Sequence, residues 1–77
     1  MKIDISFKSI ITKAPGESYN VLIVTKKGTG NSLPGDVHAV KRMEDIFSAT
    51  ISGNKIMELI KSDKVLSIEE DKEMGIM

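Results

Sequence analysis

Between positions 46 and 71 the apolar pattern changes period twice, and this change limits the folds open to the chain. Phe47, Ala49 and Ile51 alternate with Ile46, Ser48 and Thr50, the period-two mark of a strand that turns one face, here the first set, to a core. From Ile56 the spacing becomes Ile56, Leu59 and Ile60, with Met57 at its border, the stripe by which a short helix packs on a sheet. Ser52 or Asn54 can cap that helix, and Ser62-Asp63-Lys64 is expected to end it. Residues 65–71 then return as a strand in which Leu66 and Ile68 are expected to point inward, while Ser67, Glu69 and Asp71 share the opposite face. On the other side, residues 37–43 pair with 46–52 as a hairpin around Glu44-Asp45.

Hairpin, helix, strand is the second half of a ferredoxin-like sandwich. The expected class is therefore α/β in the α+β sense, an antiparallel sheet with a helix packed on one face, in one domain over residues 1–77. Upstream, Ile3, Ile5 and Phe7 recur with period two, which predicts a strand over residues 2–11, and Ala14-Pro15-Gly16-Glu17 supplies a turn. Residues 19–27 predict a second strand. Tyr19, Leu22, Ile23 and Lys26 also fit a helix over residues 17–27, but the β-branched run over residues 21–25 is poor helix material. The segment Gly28-Thr29-Gly30-Asn31-Ser32-Leu33-Pro34-Gly35 reads as a connector, since it has neither the lysine end of a P-loop nor the glycine spacing of a dinucleotide site.

Composition excludes several classes. The 77 residues carry eleven basic and eleven acidic side chains and three aromatic ones, whereas a nucleic-acid binder needs clustered excess cation and usually rings to stack on bases. No cysteine is present, so neither a disulfide nor a thiolate metal site is expected, and the single histidine, His38, cannot build a zinc site alone. No cofactor is implied. No apolar run approaches the roughly 20 residues of a membrane-spanning helix, and the alternating start, Met1-Lys2-Ile3-Asp4-Ile5-Ser6-Phe7-Lys8, does not look like a secretory signal. Serine, His38 and aspartate are present, but nothing in their spacing marks an activated nucleophile, so a non-enzymatic module is expected. Charge is divided along the chain: residues 1–43 hold seven Lys/Arg against three Asp/Glu, and residues 44–77 hold four against eight. The cluster Glu69-Glu70-Asp71-Lys72-Glu73 reads by itself as a solvated face.

The segments Phe47-Ser48-Ala49-Thr50-Ile51, the helix leucine Leu59, and Val65-Leu66-Ser67-Ile68-Glu69-Glu70-Asp71 at this spacing resemble the subtilisin propeptide family, which includes free-standing proteinase inhibitors. The resemblance covers residues 36–77. It implies a sheet whose outer face docks on two surface helices of a subtilisin-like serine protease, with a C-terminal tail lying in the substrate cleft like a cleaved product. Glu69 and Asp71 fall on the family's acidic positions, which meet the N-termini of those helices. In the tail, the resemblance puts Met77 in the specificity pocket, Ile76 before it, Gly75 where backbones approach closely, and Met74 in a second apolar pocket. The amino-terminal half departs from the family, whose first helix follows its first strand. In the all-strand register that helix is reduced or missing, and residues 1–18 have no clear place in the family fold.

The implied function is inhibition of a subtilisin-like protease, as a propeptide that is both intramolecular chaperone and temporary inhibitor, or as a separate inhibitor. Secretion alongside the protease fits this role better than a cytoplasmic one. The alternative is a ferredoxin-like regulatory module that dimerises through its sheet face, which Glu69 and Asp71 oppose if like charges meet across the two-fold axis. The number of copies in the working form is left open.

Overall fold

The computed structural model describes residues 2–27 and 37–71. It contains helix α1 (Ile5–Lys13), strand β1 (Ser18–Thr25), strand β2 (Val40–Met43), strand β3 (Ile46–Ser52), helix α2 (Gly53–Leu59) and strand β4 (Val65–Glu70). The four strands form one antiparallel sheet in the order β2-β3-β1-β4. Both β3 and β4 run antiparallel to β1, so the connection from β3 through α2 to β4 passes over β1. This is the strand order of a ferredoxin-like α+β fold, as expected from the hairpin, helix, strand pattern.

The amino-terminal strand expected over residues 2–11 is instead a helix. Asp4 is its N-cap, its Oδ2 accepting from the Ser6 and Phe7 N–H groups at 3.0 and 3.2 Å, which satisfies donors that a helix start leaves unpaired. Phe7 and Ile11, four residues apart, are buried, whereas Ile5, which the period-two pattern would turn inward with Ile3 and Phe7, is 68% exposed. Ile3 alone keeps a strand-like contact, a parallel bridge to Ile68, with the Ile68 N–H donating to the Lys2 carbonyl at 2.8 Å. Lys2 Nζ also donates to the Ser62 carbonyl. This helix, α1, precedes β1 and packs beside α2, whereas residues 28–36, where the resemblance leaves a first helix reduced or missing, lie outside the described residues. The Gly28 to Gly35 connector lies outside the described residues.

β1 bears out the strand expected over residues 19–27, with Val21 and Ile23 fully buried. The hairpin is shorter on its first side, since residues 37–39 are not in strand and only Val40–Met43 pair. The helix face of the sheet, Val21, Ile23, Ala49, Ile51 and Ile68, closes on Phe7 and Ile11 of α1 and on Ile56 and Leu59 of α2 in one apolar core. Of the two candidate caps for α2, Ser52 is the one used: its Oγ accepts from the Lys55 N–H at 3.2 Å. α2 ends at Leu59, before Ser62-Asp63-Lys64, which lies in the following turn.

The α1–β1 turn completes the start of α2. Gly53 N–H donates to the Glu17 carbonyl and Asn54 N–H to the Pro15 carbonyl, both at 3.0 Å. The approach is so close that a Cβ on Gly53 would sit 2.8 Å from Ile11 Cγ2. Across the turn, Tyr19 donates its hydroxyl to the Ala14 carbonyl at 2.8 Å and meets the Phe7 ring edge to face at 5.8 Å.

In β4, Leu66 does not point inward. Val24 pairs with Ser67 and Thr25 with Val65, so Leu66 is an extra residue with no partner opposite it, a bulge that rotates the strand locally. Val65 and Ile68 are buried in consequence, while Leu66 is 49% exposed.

Candidate docking face

Both helices cover one face of the sheet, and the register defines what the other presents. Glu69, Leu22, Ser48 and Val40 stand in one row across β4, β1, β3 and β2. Ser67, Val24 and Ile46 form the next row, and Asn20 with Thr50 a third. Leu22, Val24 and Ile46 are half-buried, and Val40 and Met43 at the β2 side are among the exposed large apolar residues. The face is thus apolar toward the β2–β3 turn and polar toward the opposite end, where Thr50 donates its hydroxyl to Asn20 Oδ1 at 2.7 Å.

Ser48 stands on this face, opposite the set Phe47, Ala49 and Ile51, as the alternation along the strand implies. It is buried, because Arg42 crosses it and donates from Nε to Ser48 Oγ at 3.1 Å. Arg42 carried no assigned role in the sequence. Its placement depends on the β2 register shift between Lys41 and Met43, so only the alternation of Ile46, Ser48 and Thr50 hinted that Ser48 would be near it. With Leu22, Met43, Ile46 and Asp71, Arg42 lines a shallow hollow of about 330 Å³ on this face.

The two acidic residues singled out in the sequence both belong to this side. Glu69 is exposed beside Leu22. Asp71 follows β4 directly, its N–H donating to the Asn20 carbonyl at 2.8 Å, and lines the hollow. The two differ in access, since Asp71 is 7% exposed and engaged within the chain, whereas Glu69 presents its carboxylate to solvent. The tail positions Met74, Gly75, Ile76 and Met77 lie outside the described residues. His38 is exposed, and among the described residues no three His, Cys, Asp or Glu side chains gather as a metal cage. No described helix is long and apolar enough to cross a membrane.

Compared with family models, with curated proteins and with solved structures, the chain matches none. What it can bind is therefore read from the composition and geometry of the open face.

Proposed function

We propose that this chain is a non-catalytic module that binds and inhibits a subtilisin-like serine protease, as a propeptide or as a free-standing inhibitor, through the open face of its sheet and its C-terminal tail. The observation that carries the proposal is the position of Glu69 and Asp71. They stand two residues apart on the face left bare by the helices, at the end of β4, and the sequence runs from there into Met74, Gly75, Ile76 and Met77. A helix N-terminus offers unpaired N–H groups and partial positive charge, so an exposed carboxylate such as Glu69 has a natural partner there. Leu22, Val24 and Ile46 supply the apolar centre that an interface needs inside a polar rim. Asp71 would exchange its present contact for the partner's.

The test is inhibition of a subtilisin by the chain and by its Glu69→Gln variant. One charge at a helix N-terminus contributes about 0.3–1 kcal/mol, so the variant should bind roughly two- to fivefold more weakly, with the circular dichroism spectrum unchanged. Equal inhibition by both chains would remove Glu69 from the docking surface.

A further inference from the structure

Arg42 and Asp71 flank Leu22 from opposite sides on the open face. Leu22 pairs with Ser48 of β3 on one side and with Glu69 of β4 on the other. Arg42 lies over Ser48, held there by the hydrogen bond from its Nε to Ser48 Oγ at 3.1 Å. Asp71 follows two residues after Glu69, is fixed to β1 by its N–H bond to the Asn20 carbonyl at 2.8 Å, and is 7% exposed. Both line the hollow of about 330 Å³, whose remaining wall is Leu22, Met43 and Ile46, the last two opposite each other in the β2–β3 register. That volume corresponds to a sphere roughly 9 Å across, a space that one small molecule spans. Apolar walls with a few polar groups of fixed position are the usual make-up of a small-ligand site.

The two charges restrict what fits. A carboxylate alone would lie against Asp71, an amine alone against Arg42, and an uncharged apolar molecule would strip water from both without replacing it. We infer that the hollow binds a free α-amino acid with an aliphatic or thioether side chain, its carboxylate on the Arg42 guanidinium, its ammonium on Asp71 and its side chain against Leu22, Met43 and Ile46. Arginine carries five N–H donors in a planar fork suited to a carboxylate, and the bond to Ser48 uses Nε. That bond also orients the guanidinium beforehand, so less side-chain freedom is lost on binding. An ionised carboxylate accepts at about four lone-pair positions, so Asp71 keeps its contact within the chain while taking the ammonium. The inference does not rest on the protease reading; if both hold, the amino acid and the protease exclude each other from one face.

Titration of the isotope-labelled chain with L-leucine, followed by backbone amide shifts and with no protease present, tests it. A shallow site and a ligand of about nine non-hydrogen atoms set the expected Kd in the low-millimolar range, with the shifts gathered around Leu22, Arg42, Met43, Ile46 and Asp71. Isocaproate is leucine without its ammonium, isoamylamine is leucine without its carboxylate, and glycine lacks the apolar side chain; each should bind about tenfold more weakly or worse. Arg42→Gln should weaken leucine by about tenfold and leave isoamylamine no weaker, whereas Asp71→Asn should weaken leucine similarly and improve isocaproate. Arg42 is exposed, so its variant and the ligand series on the parent chain carry the test if Asp71→Asn does not fold. No localised shifts up to roughly 50 mM leucine would overturn the inference. So would shifts centred elsewhere on the chain, isocaproate or isoamylamine binding as well as leucine, or an Arg42→Gln chain that binds leucine like the parent.

Discussion

Replacing Gly53 by alanine tests how the two helices fit together. The added Cβ would lie 2.8 Å from Ile11 Cγ2 and 3.0 and 3.1 Å from the Pro15 Cα and carbonyl oxygen. Ile11 is fully buried and cannot swing away, and Pro15 cannot retreat without losing the carbonyl that accepts from Asn54. Overpacking of this kind costs roughly 1–3 kcal/mol. Alanine offsets part of it, because glycine is about 1 kcal/mol less favourable in a helix interior, though less so at a first helical position. The net expectation is a loss of about 1–2 kcal/mol, or a melting temperature lower by roughly 5–15 °C in a domain of this size. Urea unfolding followed by circular dichroism reads it as a lower midpoint at unchanged slope. Ile11→Leu removes Cγ2 while keeping volume, so the double variant should lose about 0.5–1 kcal/mol less than the two single losses together. A Gly53→Ala variant as stable as the parent, or a strictly additive double variant, would refute the close contact between α1 and α2.

Other perturbations address separate parts of the account. Asp4→Ala should cost about 1 kcal/mol through loss of the α1 cap, read by the same unfolding curve; no change would mean that residues 5–13 are not held as a capped helix. Ile68→Ala should cost about 2–5 kcal/mol as a buried truncation, whereas Leu66→Ser should stay within about 0.5 kcal/mol, as exposed positions do. Equal losses at the two sites would contradict the bulge in β4. Tyr19→Phe removes the hydroxyl bond to Ala14 and should cost about 1 kcal/mol, checked by its unfolding midpoint.

The sheet was legible where one strand face is apolar and the other polar. The alternation over Phe47, Ala49 and Ile51, the stripe Ile56 and Leu59, and the β-branched run in β1 each specify an element locally, without reference to its partners. α1 is not specified in this way, because Ile3, Ile5 and Phe7 satisfy period two while Ile3, Phe7 and Ile11 satisfy a helical face. The deciding signal was Asp4, a short polar side chain one residue before the helix, able to reach the next N–H groups. Leu66 could not be placed from its own neighbours, since the bulge is set by how Val24 and Thr25 pair with β4. On the open face, alternation located Glu69 and Asp71 correctly on one side. The burial of Asp71 and of Ser48 arises from contacts between strands distant in sequence, and neither residue's local pattern carries that information.

Competitive inhibition of a subtilisin, measured as progress curves with the chain and with a form lacking Ile76 and Met77, bears most directly on the central proposal. The proposal predicts competition with a small peptide substrate by the 77-residue chain and its loss on truncation, because an extended tail binds a cleft through main-chain pairing and side-chain pockets. Inhibition retained by the truncated chain would show that the tail is not the inhibitory element, and no inhibition by either form would contradict the proposed function.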